Sequence, residues 1–287
     1  MPGGYHEGER EAQQRAGVLE AAARLERLAK SEIPPVARDF LSEQRLAIVA
    51  SRDESGRLWA SPLTGAPGFL HATDSRTLRA HARPADGDPL TRNLKHDAPA
   101  GLLAIDPRSR RRMRVNGSGR WITADELEVR TEEVYANCPK YIRRREPDLA
   151  GYAARGAAER SSGLGDRARA LVTSADTFFI ATRHPDRGSD ASHRGGEPGF
   201  VRLSAAADGA DLLTMPDYAG NNMFNTLGNL LVEPRAGLLF PDFERGDALL
   251  LTGHAEPRWS PAGRELVFRV EEALELPGAL GHRWRAL

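Results

Sequence analysis

The sequence predicts a mainly β protein with flanking helices, in which one β-rich unit occurs twice along the chain. Residues 60–69 (ASPLTGAPGF) match residues 191–200 (ASHRGGEPGF) without a gap and with six identical positions. Further matches follow in the same order at a single spacing of 136 residues, relating Asn93-Leu94 to Asn229-Leu230, residues 100–103 to 236–239, and Gly117 to Gly253. Ordered internal matches indicate a duplication, so we interpret the chain as two tandem copies of one unit.

Composition limits the kinds of protein and partner. A chain of 287 residues with 40% hydrophobic content can bury one large core or two ordinary ones. The formal net charge is zero, which disfavours nucleic acid as a partner. The chain has no run of about 18 apolar residues, and its polar N-terminus lacks the apolar centre of a signal peptide. Because Cys138 is the single cysteine, no internal disulfide can form, and we expect a cytoplasmic protein without a membrane partner.

Four segments are predicted along the chain. Residues 1–36 form a helical extension, because apolar residues recur at helical spacing until Pro34 and Pro35. The first unit spans 37–146 and ends in a helical segment at 124–146, after strands at 46–51, 58–64, 69–73, 78–82, 100–105 and 113–122. A helix–loop connector follows at 147–172, and the second unit spans 173–287 with a C-terminal helix at 260–269, capped by Ser260. Short strands separated by turns favour small antiparallel barrels.

Two polar stretches suggest an anion site. The loop at 216–229 is rich in Gly, Asn and hydroxyl side chains, which can offer N–H groups to an anion without a full charge. Residues 110–117 (RRRMRVNG), if extended, place four polar side chains on one face: Arg110, Arg112, Arg114 and Asn116. Guanidinium groups match phosphate oxygens, so this row is a candidate phosphate contact. The alternative is a solvated hairpin end.

Other residues carry weaker signals. Cys138 alone is more typical of a small apolar filler than of a nucleophile. Lys140 is a candidate contact for an anionic ligand. His184 and His193 lie near two aspartates in the sequence, but their spacing fits no structural zinc motif, so no metal site is predicted. No acid–base pair is evident, and the catalytic residues stay unknown.

These segments together resemble the pyridoxamine 5′-phosphate oxidase-like, FMN-binding split-barrel proteins. The second unit carries Ala-Ser-His-Arg-Gly-Gly at 191–196, a Gly-Asn-Asn-Met-Phe-Asn-Thr loop at 220–226, and VEPRAGLLF at 232–240. The last segment is similar to the family's NPRAGLLF-like strand, with Glu233 in place of its Asn. Residues 110–117 resemble a strand that reaches a flavin held mainly by the other half of a dimer, and 138–142 resembles tandem flavin-nucleotide-binding members. The resemblance covers roughly 40–121 and 176–257, and it implies two tandem split β-barrels of the FMN-binding type that form a pseudo-dimer.

The resemblance also implies the residues that bind the cofactor FMN, with Lys140 added as a candidate: Ser192, His193, Arg194, Thr214, Asn221, Asn222, Asn225, Arg112, Arg114 and Lys140. Family oxidases commonly carry an Arg-Lys pair in the phosphate loop, where this chain has Asn-Asn. Amides bring no charge, so Arg194 or the arginines of the first unit must supply it. The equivalent loop of the first unit, 85–89, carries two acids, so we expect at most one site per chain.

Three functions follow as hypotheses. The first is an FMN-dependent oxidoreductase acting on a small molecule, with NAD(P)H as a candidate reductant and a homodimer as the assembly. The second is a flavin-binding or carrier module without a reaction. The third keeps the fold but binds haem, with one of three histidines as axial ligand: His184, His193 or His254.

Overall fold

The computed structural model describes residues 4–287. Its α-helices are short: α1 (Glu7–Arg15), α2 (Leu19–Ala23), α3 (Pro35–Ser42), α4 (Leu90–Asn93), α5 (Asp166–Ser174) and α6 (Asn225–Val232). A 3₁₀ helix covers Glu26–Leu28. Within the described residues, no helix has the length and apolar character needed to cross a membrane.

Strands make up most of the regular structure. The first half of the chain contains β1 (Leu46–Arg52), β2 (Leu58–Thr64), β3 (Leu70–Ala72), β4 (Thr77–His81), β5 (Ala98–Asp106), β6 (Arg111–Trp121) and β7 (Glu126–Ala136). The connecting segment contains β8 (Arg145–Tyr152) and β9 (Glu159–Ser161). The second half contains β10 (Thr177–His184), β11 (Gly188–Gly195), β12 (Arg202–Ala205), β13 (Asp211–Pro216), β14 (Arg235–Asp242), β15 (Asp247–Ser260), β16 (Gly263–Leu276) and β17 (His282–Ala286).

Two antiparallel sheets have the same strand order. The first runs β2-β1-β5-β6-β7-β4-β3, and the second runs β11-β10-β14-β15-β16-β13-β12 with β9 added beside β16. Strands β1 to β7 therefore correspond one to one with β10 to β16. A small third sheet pairs β8 with β17. The predicted mainly β fold of two similar units is confirmed.

The repeated sequence positions also occupy the same places in the two sheets. Ala50 pairs with Ala60 on one side and with Gly101 on the other. The second sheet has the same pattern at the repeated positions Ala181, Ala191 and Gly237. Register decides which side chains face the core. Because the two units share a register, equivalent side chains face the core in both.

Each unit also has a strand irregularity at a repeated glycine. The register of β6 against β7 shifts at Gly117, and that of β15 against β16 shifts at Gly253. A Cβ atom at Gly117 would lie 1.8 Å from the carbonyl oxygen of Arg130, and one at Gly253 would lie 2.0 Å from that of Arg269. Only glycine fits such a close backbone approach, which explains why both copies carry it.

The two sheets have separate cores and a shared apolar interface. The separate cores contain residues such as Leu102 in the first unit and Phe268 in the second. A third buried cluster draws on both units, including Trp59, Leu103, Phe179 and Leu239. Backbones touch at the repeated glycines: a Cβ atom at Gly101 would lie 2.7 Å from Cα of Asp190, and one at Gly237 would lie 2.8 Å from Cα of Trp59. The units therefore pack as a pseudo-dimer within one chain.

The helix predicted at 124–146 is wrong, because most of that segment is β7 and part of β8. Leu127, Val129 and Thr131 are buried at alternate positions, which is the period of a strand. The charged residues between them gave the segment a helix-like composition. Hydrogen bonding to β6 and β4 on its two sides decides the outcome, since a central strand is needed there.

The helix predicted at 260–269 is also wrong. Ser260 ends β15 and Gly263 begins β16, so the Ser-Pro pair is part of a hairpin turn. The Ser260 hydroxyl donates a hydrogen bond to the Gly263 carbonyl (3.2 Å) and does not cap a helix. Gly263 has a φ of 134°, which suits glycine in a turn.

The helical extension and the connector differ in detail from the prediction. Gly17, with a φ of 68°, follows α1, and the extension consists of several short helices. The connector contains α5 but also β8 and β9, which pair with β17 and β16. Trp284 of β17 is buried within the chain and meets Phe243 edge to face at 6.1 Å. The C-terminal strand β17 thus holds β8 through backbone hydrogen bonds, and the local sequence does not predict this pairing.

Candidate functional site

Two adjoining cavities lie between the units, where β6 of the first faces β11 and the loop before α6 of the second. Their volumes are about 70 and 60 Å³. Both cavities are lined by Arg114 of the first unit and by Arg194, Tyr218, Gly220 and Asn221 of the second. The walls of these cavities therefore come from both units of one chain.

Arg114 is the buried centre of the site. Its guanidinium forms an ion pair with Asp190 (3.1 Å) and donates hydrogen bonds to the hydroxyl of Tyr135 (2.7 Å), to Oδ1 of Asn225 (3.1 Å) and to the hydroxyl of Ser192. Burial alone would lower the pKa of Arg114, but the Asp190 carboxylate outweighs it and raises that pKa. Arg114 is therefore a fixed, compensated cation that links β6 to β11 and α6.

Two further arginines are less well compensated. Arg112 donates a hydrogen bond to the carbonyl of Cys138 (2.7 Å) but forms no ion pair within residues 4–287. Burial, then the neighbouring guanidiniums of Arg114 and Arg194, lower the pKa of Arg112 to about 9. Arg194 is 3.5 Å from Asp217, and that carboxylate is shared with Arg264 at 2.9 Å. Since a guanidinium keeps its proton near neutral pH, Arg112 is a buried charge beside two further guanidiniums, and an anion would stabilise it.

Several buried polar atoms in this cluster have no partner among the described residues. They are Nε of Arg112, Arg114 and Arg194, Nδ1 of His193 and Oδ1 of Asn137. Burial and the nearby arginines hold the pKa of His193 well below its usual value, so that ring is neutral. Buried polar groups are normally satisfied, and such a cluster indicates space for a polar ligand.

The loop before α6 presents backbone as well as side chains to the second cavity. Asn222 and Phe224 have left-handed φ angles of 61° and 63°, and Oδ1 of Asn221 accepts a hydrogen bond from the Met223 N–H (3.1 Å). Asn225 to Leu227, the first turn of α6, line that cavity. The first N–H groups of a helix have no acceptor inside it, and they favour an anion.

The N-terminal helix supports this loop. Glu9 of α1 is buried and accepts a hydrogen bond from Nδ2 of Asn225 (2.5 Å). The helices touch at two glycines, since a Cβ atom at Gly8 would lie 2.2 Å from the carbonyl oxygen of Gly228. Burial raises the pKa of Glu9 to about 7. The extension is thus part of the wall behind the site.

Aromatic rings line the more exposed side of the first cavity. Tyr141 and Tyr218 stack at a centroid distance of 5.3 Å, and Phe200 lies 6.5 Å from Tyr218. The Tyr141 hydroxyl donates a hydrogen bond to the carbonyl of Ala219 (3.1 Å). Both tyrosines are partly exposed, so they form a cover made by one residue from the segment between β7 and β8 and one from the loop before α6.

The structure brings most of the predicted residues together. The cavities are lined by Arg112, Arg114, Lys140, His193, Arg194, Asn221, Asn222 and Asn225. Ser192 is fully buried behind them, bonded to Arg114 and to the Thr226 hydroxyl (2.9 Å). Thr214 lies on β13, paired with Arg202 and Val267, and does not line either cavity.

Some site residues escaped the sequence interpretation. Asp190 lies two positions before Ser192 on the same face of β11, so the alternation of that strand could have pointed to it. Glu9, Tyr135 and Asn137 reach the site only through tertiary packing, and nothing in their local sequence indicates it. Arg110 precedes β6, is exposed and has a φ of 57°, so it does not belong to the predicted row of strand side chains.

The equivalent place in the first unit is filled by the chain itself. Ser61, which corresponds to Ser192, donates a hydrogen bond to Asp88 (2.6 Å), and Asp88 also accepts one from the N–H of Leu90 at the start of α4 (2.9 Å). Burial raises the pKa of Asp88 to about 6. By register, the positions of Arg112 and Arg114 are occupied in the second unit by Ala248 and Leu250. This place therefore has an internal acid and lacks both arginines.

Histidines elsewhere do not contribute to the site. Two clusters bring three possible metal-ligand atoms within 4.8 Å of one another: His6, Glu7 and His184, and His71, His81 and Glu126. In the first, both ring nitrogens of His184 are already hydrogen-bonded, to Glu7 and to the N–H of Asp186. In the second, Glu126 is bound by Arg79 (3.1 Å). His254 pairs with Glu271, so His193 is the haem-ligand candidate that lines a cavity.

Comparisons with known proteins give a family match for the first part of the chain. The family model described as pyridoxamine 5′-phosphate oxidase matches residues 33–158. A comparison with curated proteins found no significant match. The matched range contains the whole first sheet, including the arginines of β6.

Similar solved structures include three bacterial proteins. HupZ of Group A Streptococcus is 14% identical, with a TM-score of 0.29, and the alignment covers 36% of this chain and 94% of HupZ. A NimC/NimA family protein from Clostridium acetobutylicum is 13% identical (TM-score 0.27; 42% and 91% covered). A protein from the same organism related to general stress protein 26, of the pyridoxinephosphate oxidase family, is 14% identical (TM-score 0.26; 42% and 92% covered).

Proposed function

Because the chain belongs to the pyridoxamine 5′-phosphate oxidase-like split-barrel family, we propose that it binds FMN between its two units and acts as a flavin-dependent oxidoreductase on a small molecule. The observation that carries the proposal is the excess of buried positive charge around Arg112 and Arg194, beside the first turn of α6. An FMN phosphate supplies the anion that this cluster lacks.

The donors present fit a phosphate group. Arg112 and Arg194 each have a buried Nε–H without an acceptor among the described residues, and guanidiniums form strong charge-assisted hydrogen bonds with phosphate. The first turn of α6, whose N–H groups favour an anion, lines the same space together with Asn221 and Asn222. The arginines thereby replace the charge that the Asn-Asn pair of the loop does not bring.

The flavin ring needs more room than the cavities provide. Sites for small molecules usually span about 300–1,000 Å³, whereas the larger of these two cavities has about 70 Å³. We propose that the stacked pair Tyr141 and Tyr218 opens to admit the ring system. Both rings are partly exposed and held by few hydrogen bonds, so their movement costs little core packing.

FMN would supply the redox chemistry, while the protein supplies binding, orientation and polarity. The neutral ring of His193 and the fixed cation of Arg114 are the groups of this chain best placed to set that polarity. The alternative is a carrier that only binds flavin. Reaction with NAD(P)H, the proposed reductant, distinguishes the oxidoreductase from the carrier. Bleaching of bound flavin by NAD(P)H under anaerobic conditions, followed by reoxidation with an added acceptor, supports the enzyme.

Haem is the second candidate ligand, favoured by one observation. Nδ1 of His193 is buried without a partner and the ring lines the cavity. The surrounding arginines favour an anionic group, and haem propionates share that chemistry with a phosphate. A Soret band in the purified protein, in place of flavin bands, would select haem.

The site is tested by the double variant Arg194→Ala/Asn222→Ala. We expect the wild-type protein to retain FMN through gel filtration and the double variant to lose it, as measured by absorbance of the protein peak near the flavin bands. Arg202→Ala, which removes an exposed arginine outside the site, is the matched control and should retain FMN. Equal flavin content in all three proteins would reject the site, and no flavin in any of them after reconstitution would reject the function.

A further inference from the structure

A third and larger cavity adjoins the proposed flavin site. Its volume is about 520 Å³, within the range of small-molecule sites. It lies between α3, the start of β6, the end of β7 and the segment that follows the 3₁₀ helix. Its apolar walls are formed by Leu28, Pro34, Val36, Ala37, Phe40, Met113, Val134, Ala136 and Pro139. We call this cavity the β6–α3 groove.

The groove is apolar but carries an excess of positive charge. Four cationic side chains line it: Lys30, Arg110, Arg111 and Arg112. The one carboxylate in its lining, Glu32, is 3.4 Å from Arg76 and is thereby compensated. Arg111 lies over the ring of Phe40 at 4.6 Å, which brings cationic and apolar surface together. This combination suits a molecule with an apolar body and an anionic group.

The groove meets the proposed flavin site at a polar wall. Arg112 and Asn137 line both cavities. Nε of Arg112 is a buried donor and Oδ1 of Asn137 a buried acceptor, and neither has a partner among the described residues. The unpaired Nε–H of Arg112 at this boundary can donate a hydrogen bond to an acceptor group of a ligand.

The outer part of the groove is open. Val36 is 77% exposed and Leu28 is 53% exposed, so the protein leaves apolar side chains uncovered at its rim. An apolar ligand tail would cover them and gain the hydrophobic free energy of that burial.

We propose that the β6–α3 groove binds an amphipathic carboxylate, with the carboxylate at Arg112 and the apolar body between Phe40, Met113 and Val36. Binding of this ligand depends on the residues of the groove and does not require FMN. Its assignment as the substrate site of the flavin rests on the proposed function.

The test uses octanoate, with octylamine as the matched cation, on the full-length protein with and without FMN. We expect octanoate to bind at least ten times more tightly than octylamine in isothermal titration calorimetry. In the FMN-loaded protein, octanoate should also perturb the visible spectrum of the flavin, because Arg112 lines both cavities.

The variant Leu28→Asp/Val36→Asp tests the location. Both side chains are exposed, so folding should be kept, and the new carboxylates should weaken octanoate binding at least tenfold while FMN content is unchanged. Leu149→Asp, which changes an exposed leucine elsewhere, is the control and should bind octanoate normally.

Three results would overturn the groove proposal. The first is that octanoate and octylamine bind equally or not at all. The second is that Leu149→Asp weakens octanoate binding as much as Leu28→Asp/Val36→Asp does. The third is that the wild type does not bind octanoate and that Leu28→Asp/Val36→Asp changes from dimer to monomer. The last would make the groove a contact between copies. Octanoate binding by a protein that takes up no FMN would keep the groove and reject the flavin function, so the two failures are distinguishable.

Discussion

The two equivalent sites of the duplicated fold differ in how each compensates charge. In the second unit, Ser192 contacts Arg114, and the neighbouring cations exceed the carboxylates. In the first unit, Ser61 contacts Asp88, a buried acid at the start of α4, and the equivalent strand positions hold Ala248 and Leu250. One site therefore holds more buried cations than carboxylates, whereas the other holds a buried acid and neither arginine. A duplicated scaffold can therefore keep its backbone register while only one of two equivalent places keeps a cluster of arginines.

The largest effect is expected when the compensated cation is removed. Arg114→Met makes the second-unit site resemble its counterpart and leaves Asp190 buried without its partner. We expect loss of FMN binding and a fall of about 3–5 kcal/mol in the free energy of unfolding, measured by chemical denaturation. Adding Asp190→Asn should restore part of the stability but none of the FMN binding. An Arg114→Met protein of wild-type stability would contradict the role of this ion pair.

Asp88, the buried acid of the first unit, should make the free energy of unfolding depend on pH. Burial raises the pKa of Asp88 to about 6, so the folded state binds this proton more tightly than the unfolded state. This contribution is complete below the unfolded value near 3.8 and is lost as the pH rises through about 6. At pH 7 the loss amounts to about 3 kcal/mol.

Asp88→Asn should remove that dependence while keeping the acceptor for Ser61 and Leu90. The free energy of unfolding, measured between pH 4.5 and 7.5, should vary less in the variant than in the wild type. Because the first-unit site still lacks both arginines, FMN stoichiometry should stay at one per chain. A second bound FMN in the variant would show that the acid alone closes this site.

Removing Arg112, which has no ion pair among the described residues, should not lower the free energy of unfolding, in contrast to removing Arg114. Arg112→Met relieves burial of a charge that has no ion pair, so the protein without FMN should be as stable as the wild type or more stable. FMN affinity should fall about 10- to 100-fold, the worth of one charge-assisted hydrogen bond. Fluorescence titration with FMN and denaturation of the same samples measure both. Destabilisation equal to that of Arg114→Met would reject the distinction between the two arginines.

The smallest effect is expected at Thr214. This residue matches a family position but lies on β13 outside both cavities. Thr214→Ala should change FMN affinity by less than about twofold and stability by less than about 0.5 kcal/mol. A tenfold loss of FMN affinity would return Thr214 to the site and require the loop before α6 to move when FMN binds.

Much of the fold could be predicted because the duplication repeats its own signals. Short apolar runs such as LAIVAS at 46–51 and the repeated glycines fix strands and turns by local geometry. The failures at 124–146 and 260–269 share a physical cause. Charged strands and a Ser-Pro turn have local preferences typical of helices, and hydrogen bonding to both neighbouring strands of the sheet overrides those preferences.

The candidate site could likewise be predicted only where local sequence decides the structure. The alternation of β6 correctly separates Arg112 and Arg114 from Met113, since a strand side is set by local period. The partners of Arg114 in the second unit could not be predicted, because Asp190, Ser192 and Asn225 are far from it in sequence. Whether an arginine has a carboxylate partner depends on tertiary contacts, and this property distinguishes Arg114 from Arg112.

The paired glycines at the junction, Gly101 and Gly237, set a further constraint on the whole molecule. With main chain resting on main chain at both points, neither half can slide or tilt without collisions, and the apolar cluster between them would be laid bare if they parted. The chain should therefore melt as one cooperative body, and an isolated half should aggregate. The first unit, whose own equivalent site contains Asp88 and neither arginine, thus also serves as the rigid partner against which the second unit is shaped.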